Sequence, residues 1–238
     1  MPQIMEEFGI PFFLDITKNI LLHPFLEFVR SLLQVIEDNF SEEAMFRYLR
    51  CGLSQISEDE IDLLENYVLA AGIRGKKKWE ARFIYTTHEV TEEDLEALNE
   101  LRIRVMEPFS ELTAVFRKKG ATVRECTTAL YQFIVSLQIE QQLKYRENQY
   151  KEAKDLAKAK EYAQIYRIVM DILDKMATLL GDEVMDISEY AKVLEAGFEA
   201  AKVGVIPGGY DCMMIGDIER TRLDDIKAVS YTHLTLPT

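Results

Sequence analysis

The 238-residue sequence has few cysteines, few histidines and no long apolar run. Charged residues interrupt every apolar stretch before it reaches the ~20 residues that a membrane-spanning helix needs. The first residues, MPQIMEEFGIPFF, have no basic region and no small-residue cleavage site, so they do not resemble a signal peptide. The three cysteines, Cys51, Cys126 and Cys212, are too far apart for a disulfide framework or a zinc ribbon. These absences predict a protein of the reducing cytoplasm.

Acidic residues outnumber basic ones by 41 to 28, which gives a formal net charge of -13. Neutralising phosphates requires clustered lysine and arginine, so this balance opposes nucleic-acid binding by the chain as a whole. A local basic patch is still compatible with it. Hydrophobic residues make up 48% and charged residues 29%, a composition that predicts a globular and mostly helical protein.

Capping signals and apolar spacing predict helices through the middle of the chain. Ser57 and Glu60 form a capping-box pattern, and Thr91 and Asp186 begin similar patterns. Pro108 predicts a break in a helix near residue 107. We expect helices over about residues 24–38, 41–51, 57–71, 91–107, 122–143, 150–180 and 186–202.

Short β-like runs lie at the two ends of the sequence, at residues 10–14, 212–215 and 226–229. Strands this few are not stable as a separate sheet. The order of elements therefore predicts a helical insertion in an α/β domain whose other strands lie outside this chain. The last nine residues, SYTHLTLPT, carry no formal charge and are expected to be a non-native tail.

The sequence contains no recognisable catalytic or metal-binding motif. His23, His88 and His233 do not have the spacing of metal ligands on a helix. The segment 72–77 has the wrong glycine spacing for a phosphate-binding loop and no hydroxyl after its lysine. No serine nucleophile motif is present either. We therefore assign no catalytic residue and no metal ligand.

One basic run is a candidate for phosphate binding, and it surrounds the only tryptophan, Trp79. Its cations could contact a nucleic-acid backbone while Trp79 stacks on a base. The alternative is a solvated loop in which Trp79 fills a local core. The candidate binding residues are Arg74, Lys76, Lys77, Lys78 and Trp79.

A second candidate, Arg220-Thr221-Arg222, follows the predicted strand 212–215. Loops at the carboxyl ends of such strands hold ligands in α/β folds. The two guanidinium groups and the hydroxyl suit phosphate oxygens. Alternatively, they form surface salt bridges with neighbouring acidic residues, which contribute little.

Several separated motifs, in order, resemble the AddB/RexB-type subunit of the bacterial ATP-dependent helicase/deoxyribonuclease. The resemblance spans about residues 1–229, and members of that family are much longer, which implies an internal fragment. The motifs are Glu7–Asp15, His23–Phe25, Asn39–Phe40, Phe46–Leu53, Glu65–Ala70, Gly72–Gly75 with Trp79, Gly216–Arg222 and Lys227–Val229.

The resemblance implies a mostly α fold: the helical insertion of a superfamily 1 helicase-like second RecA-like domain, with short β-strands at both ends. Residues 1–20 would be the opening strand and loop of that domain, and residues 21–202 its helical insertion. Residues 203–229 would return to the domain, and residues 230–238 would be the tail. Arg220, Thr221 and Arg222 would lie in the loop that couples nucleotide and DNA contacts in related helicases.

The resemblance also implies a function for the parent subunit, a DNA end-processing helicase/exonuclease acting in double-strand break repair by homologous recombination. Its implied partners are double-stranded DNA ends and an AddA-type helicase-nuclease subunit, with no membrane, in the bacterial cytoplasm. ATP, Mg and an iron–sulfur cluster are implied for the full-length complex, and no cofactor within this segment. We expect the segment to be structural and DNA-guiding rather than catalytic. The alternative is a stand-alone α-helical scaffold for protein–protein interaction.

Overall fold

A computed structural model shows a predominantly helical chain with two short strands. Helix predominates among the described residues, which confirms the predicted mostly α fold. The residues that the structure describes are 20–86 and 91–201, the segments Phe12–Leu14 and Met213–Ile215, and the single positions Met5, Phe8 and Ile10.

The chain divides into two units. One consists of Met1–Lys18 and Gly204–Thr238, and the other is Asn19–Val203. The division falls close to the predicted limits of the helical segment at residues 21 and 202. The assignment of these units to a RecA-like domain and its insertion stays a prediction.

In the first unit, two strands pair in parallel. They are β1 (Phe12–Leu14) and β2 (Met213–Ile215), with Phe12 opposite Met213 and Leu14 opposite Ile215. Both strands lie inside the apolar runs that the sequence analysis identified. The predicted strand at 226–229 and the predicted tail at 230–238 lie outside the described residues.

The second unit contains ten helices among its described residues. The predicted break near residue 107 is confirmed, because one helix ends at Met106 and the next begins at Phe109. The helices are α1 (Pro24–Glu37), α2 (Glu42–Leu49), α3 (Glu58–Ala71), α4 (Lys76–Glu80), α5 (Glu92–Met106), α6 (Phe109–Phe116), α7 (Val123–Ser136), α8 (Ile139–Glu152), α9 (Leu156–Leu179) and α10 (Ile187–Ala200).

Local capping explains where most of these helices begin. Ser57 Oγ accepts the N–H of Glu60 at 3.3 Å, and a carboxylate oxygen of Glu60 accepts the N–H of Ser57 at 2.9 Å. The same reciprocal capping box starts α5 at Thr91, α7 at Thr122 and α10 at Asp186. Each box gives side-chain acceptors to two backbone N–H groups that the start of the helix would otherwise leave unpaired.

The predicted continuous helix over residues 122–143 is wrong, since α7 ends at Ser136 and α8 begins at Ile139. Gln138 between them is left-handed, with φ of 52°. Two side chains stabilise the break between the helices. Gln55 Nε2 donates to the carbonyl of Leu137 at 2.6 Å, and Gln142 Nε2 donates to the same carbonyl at 2.8 Å. These bonds replace the helical hydrogen bond that a continuous helix would give this carbonyl.

The predicted helix over residues 150–180 begins later than expected. Residues 150–152 belong to α8, and α9 starts at Leu156 after a cap in which Asp155 Oδ1 accepts the N–H of Lys158 at 3.0 Å. Lys154 is left-handed, with φ of 61°, and turns the chain between α8 and α9. These two helices therefore pack as a hairpin.

The core of this unit is rich in aromatic rings. Phe28 of α1 lies 5.2 Å from the ring of Tyr48 on α2 and 6.3 Å from that of Phe133 on α7. Phe109 of α6 makes edge contacts with Tyr48 at 5.2 Å and with Phe133 at 5.3 Å. All four side chains are buried. Burial of each such side chain contributes about 1.5–3 kcal/mol, so this cluster fixes α1, α2, α6 and α7 together.

A bidentate ion pair links α10 to α1. Arg30 Nε and Nη2 each donate to a carboxylate oxygen of Glu195 at 2.7 Å. The same guanidinium lies 5.7 Å from the centre of the Phe198 ring. The two parallel hydrogen bonds restrict both side chains more than a single contact would.

Candidate nucleic-acid interface

The predicted basic run lies at the junction of α3 and α4. Gly72, with φ of 60°, ends α3 in the left-handed conformation, and its N–H donates to the carbonyl of Leu69 at 3.3 Å. This is the common glycine end of a helix. Gly75, with φ of 84°, precedes α4, so the run forms a short helix and not the solvated loop of the alternative hypothesis. The two glycines thus shape the turn between α3 and α4, where Arg74 lies, and the start of the helix that carries Lys76, Lys77 and Lys78.

Trp79 is not a surface residue. Its side chain is 0% exposed, and its ring centre lies 6.1 Å from that of Phe46 and 6.3 Å from that of Phe83. A base cannot stack on an indole that is enclosed by other side chains. The prediction that Trp79 is a stacking platform is therefore wrong, and the alternative, that it fills a local core, is what the structure shows.

Lys76 points toward the neighbouring helix α6. Its Nζ donates to Thr113 Oγ1 at 2.8 Å and lies 3.3 Å from a carboxylate oxygen of Glu80. The Lys76 side chain is only 21% exposed. Its charge is thus partly neutralised by Glu80, and its predicted contact with phosphate stays a prediction without support from this geometry.

The other three cations of the run are exposed. Lys78 Nζ donates to the carbonyl of Gly72 at 2.8 Å, which leaves its charge uncompensated. Arg74 and Lys77 form no hydrogen bond or ion pair with the part of the chain that the structure describes. These three side chains, Arg74, Lys77 and Lys78, can therefore reach an anion in solution. Their role in DNA binding stays a prediction.

The carboxyl end of α4 is capped by an arginine from α5. Arg102 Nη1 donates to the carbonyl of Glu80 at 2.9 Å and to that of Trp79 at 3.3 Å. Burial, and then the nearby charge of Arg82, lower the pKa of Arg102. Arg82 itself forms an ion pair with Glu96. Arg102 thus holds the end of α4 against α5, and the charge of the exposed Arg82, which follows α4, is paired with Glu96 of α5. Neither arginine is counted with the unpaired cations Arg74, Lys77 and Lys78.

A further cation, which the sequence analysis did not select, lies beside this run. Arg117, which follows α6, donates from Nη2 to Asn39 Oδ1 at 2.6 Å. Asn39 in turn lies against Gly75, where a Cβ atom would be 3.2 Å from Asn39 Nδ2. The N–H of Gly75 also donates to the carbonyl of Phe40 at 3.3 Å. No pattern in the sequence links Arg117 to residues 74–78, because the contact runs through Asn39.

The second predicted site, Arg220, Thr221 and Arg222, lies outside the described residues, as do His88 and His233. Within the described ranges, no group of three or more histidine, cysteine, aspartate or glutamate residues is arranged to hold a metal ion. The helices of these ranges include none that is both long enough and apolar enough to cross a membrane.

The histidine and the two cysteines among the described residues are wholly or partly buried. His23 caps α1, with Nδ1 accepting the N–H of Phe25 at 3.1 Å, and burial followed by the charge of Arg146 lowers its pKa to about 4. Burial raises the pKa of Cys51, and burial raises the pKa of Cys126 to about 11. Iron–sulfur clusters are held mainly by cysteine thiolates. Within the described ranges, neither Cys51 nor Cys126 belongs to a group of three or more residues arranged to hold a metal ion, and the binding of such a cluster by the full-length protein stays a prediction.

Comparison with curated proteins gives consistent matches. The chain is 45% identical over 234 residues to the B-type subunit of the ATP-dependent helicase/deoxyribonuclease of Lachnoclostridium phytofermentans, which covers 95% of this chain and 20% of that protein. It is 37% identical to the protein of the same name from Clostridium novyi, over 94% of the chain and 19% of the relative. For Alkaliphilus metalliredigens the identity is 36%, over 96% of the chain and 21% of the relative. No protein-family model matches the chain.

A mostly helical segment with exposed cations is thus similar along nearly its whole length to much longer proteins. The chain is homologous to one segment of the B-type subunits of ATP-dependent helicase/deoxyribonucleases, as the sequence motifs predicted. It spans about one fifth of the length of the curated relatives that it matches.

Proposed function

We propose that the chain is a segment of a DNA end-processing ATP-dependent helicase/exonuclease subunit that acts in double-strand break repair by homologous recombination in the bacterial cytoplasm. In that subunit, this segment guides DNA and does not catalyse. The similarity to the B-type subunit over 95% of the chain supports the parentage. The partners of the whole protein are double-stranded DNA ends and an AddA-type helicase-nuclease subunit.

The observation that carries the DNA-guiding role is the exposed set Arg74, Lys77 and Lys78. These cations lie within five consecutive residues of a chain with a net charge of -13. None of the three is paired with a carboxylate among the described residues. In an acidic protein, uncompensated cations on one short segment favour a polyanionic ligand such as the phosphate backbone.

A guiding role without catalysis is supported by the residues present. Phosphoryl transfer and phosphodiester hydrolysis use a phosphate cradle and metal-binding carboxylates. The sequence has no phosphate-binding loop, and the described ranges present no metal-binding cluster. ATP, Mg and an iron–sulfur cluster would accordingly be bound by other parts of the full-length complex. We expect the purified 238-residue chain to lack ATPase and nuclease activity, and Mg²⁺-dependent turnover that persists through purification would contradict this.

The DNA-guiding role is tested by the salt dependence of DNA binding. The test variant carries Arg74→Gln, Lys77→Gln and Lys78→Gln. The control variant carries Lys144→Gln, Arg167→Gln and Lys175→Gln, which remove the same charge from exposed positions on α8 and α9. Fluorescence anisotropy with a labelled mixed-sequence duplex of about 30 base pairs, between about 50 and 200 mM salt, gives the slope of log affinity against log salt.

The expected result separates local contact from net charge. Loss of three phosphate contacts should make the slope less steep by about 2.7, since each contact contributes about 0.9. The control variant should keep the slope of the unmodified chain. Equal slopes for the test variant and the unmodified chain would reject the DNA-guiding role and favour the alternative, an α-helical scaffold that docks a protein partner.

A further inference from the structure

We infer that Arg117 is a phosphate-binding residue of the same surface as Arg74, Lys77 and Lys78, and that Asn39 is the positioning residue that joins the two segments. This inference rests on the proposed function, because it extends the same site. We refer to Arg74, Lys77, Lys78 and Arg117, together with the exposed Lys119 two positions after Arg117, as the bridged basic surface.

The backbone at Asn39 is fixed by the end of α1. The N–H of Asn39 donates to the carbonyl of Ile36 at 3.3 Å, and the N–H of Phe40 donates to that of Val35 at 2.7 Å. This pair of bonds is the Schellman ending of a helix. Asn39 has φ of 50°, a left-handed conformation that asparagine adopts more readily than most residues. The asparagine amide therefore leaves the helix end in a fixed direction.

The amide of Asn39 contacts both basic segments. Its Oδ1 accepts from Arg117 Nη2 at 2.6 Å, and its Nδ2 lies where a Cβ on Gly75 would be only 3.2 Å away. Gly75 lies between Arg74 and the first residue of α4. The close packing of Asn39 against Gly75 therefore positions both Arg74 and the start of α4. A second link between the same parts is the bond from Lys76 Nζ to Thr113 Oγ1 at 2.8 Å. The two segments therefore form one surface rather than two separate loops.

The charge of this surface is not cancelled by neighbouring carboxylates. Arg117 and Lys119 are exposed, and among the described residues neither forms an ion pair. The partner of Arg117 is a neutral amide, which orients the guanidinium without neutralising it. By contrast, Lys118 is paired with Glu125 at 2.6 Å and Lys76 with Glu80 at 3.3 Å, so these two lysines are not counted in the surface.

The chemistry of the surface fits a phosphodiester backbone. A small anion would occupy one group of donors, whereas a polyanion contacts cations on both segments at once. Duplex DNA carries one negative charge per ~1.7 Å of axis, so a short length of it presents several phosphates to such a surface. The free donors of the Arg117 guanidinium suit phosphate oxygens.

The test uses single substitutions in the 238-residue chain and the same labelled duplex. Arg117→Gln removes the charge, and Arg117→Lys keeps it. Asn39→Gly removes the amide and keeps a residue that tolerates the left-handed backbone. Arg167→Gln on α9 is the matched control for the loss of one exposed arginine charge. Circular dichroism melting curves establish that each variant is folded before binding is measured.

We expect Arg117→Gln to weaken binding roughly tenfold at about 50 mM salt and to make the salt slope less steep by about 0.9. Arg117→Lys and Arg167→Gln should keep the original slope. Asn39→Gly should cause part of this loss of DNA affinity although it removes no charge. Combined with Arg117→Gln, it should cause no further loss of affinity, because the Asn39 amide acts only by orienting Arg117.

Three outcomes would overturn the inference. If the Arg74, Lys77 and Lys78 variant flattens the slope but Arg117→Gln behaves as Arg167→Gln does, the inference is wrong and the proposed function stands. If neither variant changes the slope, both are wrong. If polyglutamate displaces the labelled duplex from the chain as well as unlabelled DNA of equal total charge does, the surface binds acidic protein segments rather than phosphates.

Discussion

Trp79 offers a direct test of the local fold around the basic run, because it is the only tryptophan in the chain. Its side chain is fully buried between Phe46 and Phe83. Its fluorescence should therefore have a blue-shifted maximum and be poorly quenched by acrylamide. Addition of DNA should leave the emission unchanged, since no base can reach the ring.

The cost of removing this side chain follows from its burial. Trp79→Ala should lower the free energy of unfolding by about 3–5 kcal/mol, the usual cost of truncating a buried tryptophan. Trp79→Phe should cost much less. The loss of about two buried ring carbons costs about 1.6 kcal/mol, but Trp79 Nε1 has no hydrogen-bond partner among the described residues. Removing a buried unsatisfied donor recovers about 1–3 kcal/mol, so the net change should stay within about 1.5 kcal/mol.

Urea unfolding followed by circular dichroism measures both variants, because neither retains the tryptophan signal. Comparable m-values would show that the two variants unfold as the original chain does. A small loss of stability for Trp79→Ala, or strong quenching of Trp79 emission by DNA, would refute the buried position and restore the stacking role.

Two further predictions concern His23 and Gln138. The folded state favours neutral His23, whose pKa is about 4 against an ordinary value of 6.5. The unfolded chain therefore binds the proton first as pH falls, and stability should drop by about 3 kcal/mol between about pH 6.5 and 4. Urea titrations at each pH should show a shallower drop for His23→Asn, which keeps a capping side chain, and an identical drop would contradict this. Gln138→Gly should be more stable than Gln138→Val, since φ of 52° disfavours a β-branched residue; a continuous helix would give the opposite order.

Local signals in the sequence identified most helix starts. Ser57, Thr91 and Asp186 begin helices where their capping patterns predicted them, because the cap is made within a few consecutive residues. The break at Gln138 has no such signal. It depends on Gln55, which donates to the carbonyl of Leu137, 82 positions further along the chain. The spacing of apolar residues along the sequence indicates local structure and does not show contacts between distant residues.

In the candidate site, too, local features could be predicted from the sequence and contacts between distant residues could not. The basic run was evident from the residue order, because its four cations lie within five positions of the sequence. The position of Trp79 was not, since an indole suits both a stacking surface and a core, and only packing against Phe46 and Phe83 decides between them. Arg117 was missed because its link to the run passes through Asn39, which is 78 positions away along the chain. The second predicted segment, residues 220–222, stays a prediction.

Amine footprinting in the presence of DNA tests the DNA-guiding role most directly, because it reports on each lysine separately. The chain is acetylated briefly with and without duplex DNA, and mass spectrometry gives the modified fraction at each position. We expect DNA to protect Lys77, Lys78 and Lys119 from acetylation and to leave the modification of Lys144 and Lys175 unchanged. Protection that is equal at all five lysines, or confined to Lys144 and Lys175, would contradict it.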